Sequence, residues 1–464
     1  MATRRDQLHS YQFLTQRVIS AFVMRETDPQ QSPLRRGIGA IFGGLMIAVL
    51  VAAGFGIYGI ITKVGTDRWK TQGSVVIEKE TGATYVYLDG VLVPTLNYAS
   101  ARLIAGGTGG QFRESTKSLS DAPRGVPVGI PNAPTSLPDI KNRVGMPWTV
   151  CATPETTTSG QRVSRVTLAV ATSPSGGRTL GDQGLLVRDA SEGTVHLIWH
   201  GRRHAIQDPG NLVPALFGSV SAMRVGTAWL NALPAGGAIS RIAVTGRGQA
   251  SGAVPGRKNG DVLVAQTGSG PQYFLVQANG LLGITPLQQA ILAAEWPDEP
   301  ETISIAEANP LTTGRQATGD PYPPERTPTL LSTGDDDQVC AVTPDAVATP
   351  TISVGASVAG LDTATPTTGA SEDRLPLADR ILVPPGKVAI VRAVSGPDAE
   401  TGVFYVVTDI GVKFAVPSAE VLAALGYPPG EAVNVPATLV AQLPSGPALD
   451  PAAATRPAAA AAPN

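Results

Sequence analysis

The longest apolar stretch of the chain runs from residue 38 to residue 62 and contains neither a charge nor a proline. As a helix, these 25 residues would extend about 37 Å, which exceeds the roughly 30 Å of a bilayer's hydrocarbon core. Inside lipid every backbone amide must be bonded within its own segment, so a helix is the conformation that this pattern requires. The pattern therefore predicts one transmembrane helix over residues 38–62.

The charges around this run predict its orientation. The preceding arm, residues 1–37, carries six arginines against three acidic residues: Arg4, Arg5, Arg17, Arg25, Arg35 and Arg36 against Asp6, Glu26 and Asp28. Because basic flanks stay on the cytoplasmic side, we expect a single-pass inner-membrane protein with its N-terminus inside and its C-terminal part outside. The alternative is a cleaved signal peptide, whose apolar core would be shorter and nearer the start of the chain.

Two further patterns concern the membrane region. In the arm, apolar residues recur at spacings of three and four, which predicts an amphipathic helix: Leu8, Tyr11, Leu14, Val18 and Phe22. Its apolar face requires a cover, either a neighbouring subunit or membrane lipid. We expect Asp28-Pro29 and Ser32-Pro33 to end this helix. Gly39 and Gly43 form a GxxxG pair, which favours close helix packing in lipid, although ordinary glycine use in a membrane helix is the alternative.

Beyond the membrane run, one pattern of strand, tight turn, strand and short helix occurs four times. The predicted turns contain glycine, which supplies the positive φ of a hairpin, at Gly90, Gly201, Gly280 and Gly411. Repeats of this kind indicate small structural units that stack to bury their apolar faces.

The spacing of these repeats indicates a duplication. Gly90 and Gly280 are 190 residues apart, and Cys151 and Cys340 are 189 apart, in the similar contexts Cys-Ala-Thr-Pro and Cys-Ala-Val-Thr-Pro. We therefore expect two tandem halves, each consisting of a repeat, an insert and a repeat, whose inserts pair into a central β domain. Outside the cytoplasm a lone pair of cysteines is most simply one disulfide, which would lie near a pseudo-twofold axis; two unrelated buried thiols are the alternative.

The expected class is α+β: an N-terminal transmembrane helix and an elongated outer part of four small β-rich repeats around a central β domain. The expected segments beyond residue 62 are repeat 1 at 63–106, the first central insert at 107–180, repeat 2 at 181–220, linking strands at 221–260, repeat 3 at 261–295, the second central insert at 296–384, repeat 4 at 385–430, and a C-terminal segment at 431–464 that ends in a disordered Pro/Ala tail.

Composition and motifs predict no catalytic, cofactor or metal site. The formal net charge of −2 excludes a general affinity for nucleic acid, and the chain lacks the GxxxxGK[ST], HExxH and GxSxG motifs. His196, His200 and His204 are spaced like zinc ligands on a helix, but they fall across a predicted hairpin, where turn or surface histidines are expected. Asp335–Asp337 lacks the spacing of a calcium loop and is expected to be a solvated turn.

The chain resembles the EccB family of actinobacterial type VII secretion systems. The resemblance is carried by the arm, by the single membrane helix, by the run Leu96-Asn-Tyr-Ala-Ser-Ala-Arg-Leu103, by Gly129-Ile-Pro-Asn-Ala-Pro134 and by the cysteine pair. It covers nearly the whole chain apart from the Pro/Ala tail.

The resemblance implies a structural core subunit of an inner-membrane secretion complex. Its implied partners are the subunits EccC, EccD and EccE and a mycosin protease, with further copies of the chain joined through the outer part. Members of the family are sometimes labelled ATPases, so an atypical ATPase is one alternative. A membrane-anchored protein that binds cell wall is another, because the family's repeats are similar to a wall-binding phage-lysin subunit.

Overall fold

The computed structural model describes residues 3–25, 34–61, 67–334, 336–396, 399 and 401–458. The helix-breaking prolines Pro29 and Pro33, Asp335 of the acidic run and the last six residues of the tail lie outside this part of the chain. The described residues divide into two compact units, Met1–Trp69 and Lys70–Asn464.

The N-terminal unit consists of helices, Arg4–Met24 and Leu34–Ile61, followed by a short 3₁₀ turn at Asp67–Trp69. Thr3 caps the N-terminus of the first helix, and its backbone N–H and hydroxyl both donate to the Asp6 carboxylate. Within the second helix, Gly37–Tyr58 has a mean hydropathy of 2.4 and is long enough to cross a membrane. The predicted spanning helix is therefore present, and it begins four residues before the apolar run.

The second unit, Lys70–Asn464, which we call the C-terminal unit, contains four modules with one topology. In each module three antiparallel strands are followed by a helix, by a return strand parallel to the first strand, and by a second short helix. The chain then runs back beside the third strand, with parallel pairs such as Leu92–Arg124, Arg203–Ala235 and Lys413–Ser445. We define module I as residues 74–128, module II as 185–239, module III as 262–315 and module IV as 388–449.

The bounds of these elements are as follows. Module I contains strands Ser74–Glu78, Thr84–Leu88 and Val91–Thr95, helix Tyr98–Ala105, strand Gln111–Glu114 and helix Thr116–Leu119. Module II contains strands Leu185–Asp189, Val195–Trp199 and Arg202–Ile206, helix Pro209–Phe217, strand Met223–Val225 and helix Thr227–Asn231. Module III contains strands Val262–Thr267, Gly270–Gln277 and Gly280–Ile284, helix Pro286–Glu295, strand Glu301–Thr302, helix Ile305–Leu311 and strand Thr312–Arg315. Module IV contains strands Val388–Val394, Val403–Thr408 and Lys413–Val416, helix Ala419–Ala424, strand Val433–Pro436 and helix Ala437–Val440.

Each module extends past the C-terminal boundary expected for its repeat. The return strand and second helix follow the part of the pattern that the sequence makes visible, and they are short: the return strand of module II has only three residues. Their apolar periodicity is too brief to be detected in the sequence. The α+β class of the prediction is confirmed.

A seven-stranded sheet lies between the modules. Its strands, in spatial order, are Thr365–Pro366, Arg380–Leu382, Arg162–Val170, Trp148–Thr156, Val339–Thr343, Thr351–Ser357 and Ser175–Thr179. Two antiparallel strands, one from each half of the chain, form its centre. Cys151 lies directly opposite Cys340, and the flanking pairs are Val150–Ala341 and Ala152–Val339, so exchanging the two strands preserves the register. The sheet thus has a local pseudo-twofold axis at the cysteine pair.

The modules pack in pairs that join the two halves. Modules I and IV share one apolar core that includes Leu103 and Leu422. Modules II and III pack through Leu212 and Leu287, on their long helices. One face of the central sheet, including Trp148, forms a common core with buried residues of modules II and IV. The order of packing is therefore III, II, central sheet, IV and I.

The C-terminal segment crosses from module IV to module I. After Leu449, which is fully buried, the short helix Pro451–Ala454 contacts the helix Tyr98–Ala105. Gly129 N–H then donates to Arg456 O at 3.2 Å, and Ala458 N–H donates to Pro127 O at 2.8 Å. This segment therefore adds contacts between module IV and module I.

Candidate interaction sites

The arm helix presents a continuous row of exposed apolar side chains. Tyr11 and Phe22 have 72% and 86% of their surface exposed, and Leu8, Leu14 and Val18 have at least half. Exposed apolar patches of this kind mark surfaces that another molecule or a membrane covers.

The membrane helix leaves open space beside its paired glycines. A methyl group placed on Gly39 or Gly43 would meet no atom within 4 Å apart from the helix itself. The neighbouring apolar side chains, such as Phe42 and Leu45, are about two-thirds exposed. The two glycines lie one turn apart on the same face, so another helix can approach there closely.

The four predicted turn glycines occupy three kinds of position. Gly90 and Gly201 are each the second residue of a two-residue hairpin turn with positive φ, after Asp89 and His200. Gly411 has φ +78° at the end of a longer turn. Gly280 is the first residue of the third strand of module III and follows the turn. Its hydrogen faces Leu311 O, where a Cβ would come within 2.6 Å, so close backbone approach is the reason for a glycine there.

Cys151 and Cys340 are joined by a disulfide across the two central strands. The bridge lies on the face of the sheet opposite to modules II and IV, under Val358 and Leu382, and both cysteines are buried. It is a covalent bond between the two halves of the chain at their pseudo-twofold axis.

The three histidines of module II point to different partners. Nε2 of His196 lies 3.2 Å from Thr194 Oγ1, that of His200 lies 3.1 Å from Asp182 Oδ1, and Nδ1 of His204 lies 2.9 Å from Gly237 O. Burial lowers the pKa of His196 and of His204. Among the described residues, no three His, Cys, Asp or Glu side chains are grouped as a metal site would need.

Lys413 is a buried cation that is not among the residues predicted from the sequence. Its ammonium donates to Val440 O at 2.7 Å and lies 5.9 Å from the ring centre of Tyr405. Burial lowers the pKa of Lys413 to about 8. The only sequence signal is a lysine within the otherwise apolar run Val412-Lys413-Phe414-Ala415-Val416.

A cleft of about 420 Å³ opens between module II and the central sheet. Its floor is apolar and includes Leu186, Met223 and Leu331, and its rim carries Arg162 and Arg224. No local pattern in the sequence predicts it, because its lining combines segments that are far apart in the chain, such as 220–224 and 330–334. We call it the module II cleft.

Known proteins resemble the chain over its full extent. The sequence model of the family described as "Type VII secretion system ESX-1, transport TM domain B" matches residues 1–462. The "ESX-2 secretion system ATPase EccB2" of Mycobacterium tuberculosis (strain ATCC 25618 / H37Rv) is 29% identical over 480 residues, which cover 96% of this chain and 93% of that protein. The "ESX-3 secretion system ATPase EccB3" of Mycolicibacterium smegmatis (strain ATCC 700084 / mc(2)155) is 25% identical, covering 96% and 89%.

Solved structures have the same fold. A chain of an intact ESX-5 inner membrane complex matches with a TM-score of 0.66 and 24% identity, covering all of this chain and 97% of that one. A chain of the EccB3 dimer from the ESX-3 core complex matches with a TM-score of 0.64 and 25% identity, covering 82% of this chain and 99% of that one.

Proposed function

We propose, from the premise that this chain belongs to the EccB family of type VII secretion proteins, that it is a structural core subunit of an inner-membrane secretion complex. In this role it anchors and oligomerises the part of the complex that lies outside the cytoplasm. The observation that carries the proposal is the match of the family over residues 1–462, which includes both the membrane helix and all four modules.

The partners we propose are EccC, EccD, EccE and a mycosin protease, together with further copies of this chain. Related chains are found in an ESX-5 inner membrane complex and as a dimer in an ESX-3 core complex, which supports assembly with other subunits and with itself. We also propose the orientation that the basic arm favours, with the N-terminus in the cytoplasm. Thiol labelling of single cysteines placed at Thr3 and Thr157 in intact cells would test this orientation, because only the second site should react with a membrane-impermeant reagent.

Two surfaces are proposed to make contacts at the membrane. The apolar row of the arm helix, with Tyr11, Leu14, Val18 and Phe22, packs on a neighbouring subunit or on lipid. Gly39 and Gly43 pack against a partner's membrane helix. Substituting both glycines with Ile should reduce recovery of the partner subunits after mild detergent extraction by at least severalfold, because branched side chains keep helices apart. Gly44→Ile, on another face of the helix, is the matched control.

A detergent extraction tests the structural role itself. The chain should migrate with other secretion subunits as a large particle, and migration alone would contradict the proposal. The curated relatives' names contain the word ATPase, which would be a different class of function. Since the sequence has no GxxxxGK[ST], we propose a structural role. ATP turnover by the purified chain that a point mutation in this chain abolishes would overturn that choice.

A further inference from the structure

The first strand of module II, Leu185–Asp189, pairs with the hairpin along one edge, and two further segments lie along its other edge. Gly184, just before the strand, pairs with Leu330, and three residues later Val187 pairs with Met223. The module II cleft opens between these two partners, beside Leu185 and Leu186. The cleft therefore lies at the junction between two extended segments that pair with the same strand, and we call such a junction a seam.

Module IV has the pseudo-equivalent seam, and there it is closed. Val388 pairs with Arg143, and three residues later Val391 pairs with Val433, so Arg143 corresponds to Leu330 and Val433 to Met223. Two residues after Arg143 the chain lies against the return strand: a Cβ on Gly145 would lie 3.2 Å from Val433 Cγ2. One duplicated fold thus has a packed seam in one half and an open one in the other.

The contents of the open seam indicate what would fill it. Its floor is apolar, with Leu186 and Leu331 nearly buried, and Val220 at its edge is 40% exposed. Its volume of about 420 Å³ lies within the range of roughly 300–1,000 Å³ typical of binding pockets. One wall is the return strand Met223–Val225, the last strand of its sheet, beside which an extended segment can lie.

The charges at the rim of the cleft restrict which segments can bind there. Arg162 pairs with Asp336, whereas exposed Arg224 has no ion-pair partner among the residues that the structure describes. An unpaired arginine beside an apolar floor is complementary to a carboxylate next to an apolar side chain.

We propose that the module II cleft binds an extended segment of a different polypeptide in which a large apolar side chain is flanked by an acidic residue. The apolar side chain enters between Met223 and Leu331, and the carboxylate pairs with Arg224. This inference rests on the proposed function only in that the partner is expected within the extracted secretion complex.

The test places a photoreactive amino acid at Val220 in the full chain and identifies the cross-linked peptide by mass spectrometry after extraction of the complex. The expected product joins this position to another subunit, at a segment with Asp or Glu within a few residues of the cross-link. The same amino acid at Val347, which is 70% exposed and does not line the cleft, should not give this product.

Charge and volume variants make the test specific. Arg224→Glu should reduce the yield of the product at least tenfold. Arg113→Glu, an exposed arginine on the return strand of module I, should leave the yield unchanged. Ala222→Phe, which fills the cleft, should also abolish the product while the melting temperature of the chain is retained.

The outcomes separate this inference from the proposed function. A complex that forms normally but yields no cross-link from Val220, or only cross-links within the chain or to a second copy of it, would overturn the inference alone. Insensitivity of the product to Arg224→Glu would do the same. A chain that is extracted without other secretion subunits would instead overturn the proposed function.

Discussion

At the scale of single residues, two turn glycines that look alike in the sequence differ in how much space surrounds them, and so in how much stability their replacement should cost. Gly90 and Gly201 both follow a residue with positive φ and have similar φ values of +83° and +72°. Nothing lies within 4 Å of a Cβ built on Gly90, whereas one on Gly201 would come within 2.3 Å of Pro350 O, in the loop between two central strands. Gly201 therefore serves both the turn and the contact between module II and the central sheet.

Alanine at these two positions should separate the two effects. Gly90→Ala should lower the free energy of unfolding by about 1–2 kcal/mol, the cost of left-handed backbone for a residue with a Cβ. Gly201→Ala should cost more, beyond about 3 kcal/mol, because the backbone of residue 350 must also move. Denaturant unfolding of both variants checks the order, and equal losses would contradict the contact.

The burial of Lys413 predicts how the free energy of unfolding depends on pH. Burial disfavours the charged form of Lys413, so its pKa is lowered from 10.5 to about 8 in the folded chain. The resulting loss of folding free energy is fully present below pH 8, declines as the pH rises, and disappears above the unfolded pKa of 10.5, where the lysine is neutral in both the folded and the unfolded state. At about 1.4 kcal/mol per pKa unit, this loss of folding free energy is about 3 kcal/mol.

The measurement is the difference in free energy of unfolding between Lys413→Met and the unmodified chain, followed from pH 7 to pH 10.5. This difference should be constant below pH 8 and should then shift by about 3 kcal/mol in favour of the unmodified chain, since only the lysine titrates. Arg392→Met, at a partly exposed arginine of the same module, should produce no such shift. A pH-independent difference for Lys413→Met would contradict the burial argument.

At the scale of elements, the sequence was most informative where the periodicity was long. The membrane helix, the arm helix and the four hairpins carry continuous apolar patterns, and each is found where its pattern predicts it. The return strands were missed because they have between two and four residues, such as Glu301–Thr302. Their positions depend on pairing with a distant first strand, which no local pattern specifies. The module II cleft was missed for the same reason.

The disulfide joins two strands of the central sheet, and the effect of its removal on the free energy of unfolding can be calculated. The bridge spans 189 residues, for which the chain-entropy estimate is about 5 kcal/mol. We expect Cys151→Ala with Cys340→Ala to lower the free energy of unfolding by about 2–5 kcal/mol. The central sheet should persist, because both strands keep their hydrogen-bonded partners and their buried face. Unfolding with and without reductant checks this: only the unmodified chain should lose stability on reduction.

At the scale of the whole C-terminal unit, its two module pairs differ in how they are joined. Modules II and III are consecutive along the chain, so residues 240–261 connect them covalently. Modules IV and I form the pseudo-equivalent pair, yet their sequences lie more than 250 residues apart, so no short linker connects them. The segment from Asp450 to Ala458 takes the place of that connection, through the helix Pro451–Ala454 and the backbone bonds to Pro127 and Gly129. This segment continues directly from module IV, and its contacts with module I are non-covalent.

This difference predicts that the two pairs respond differently to truncation. Ending the chain after Leu449 keeps the core of module IV but removes buried Ala454 and the two backbone hydrogen bonds to Pro127 and Gly129, at the C-terminal end of module I. Each such bond contributes about 1 kcal/mol, so amide exchange in the helix Tyr98–Ala105 should accelerate at least tenfold. Exchange in the helix Pro209–Phe217 of module II should not change.

Ending the chain after Ala458 is the matched control and should leave both helices as protected as before. Equal acceleration in both helices would mean that the C-terminal segment stabilises the C-terminal unit as a whole. No acceleration would mean that the shared core of modules I and IV holds them together without this segment.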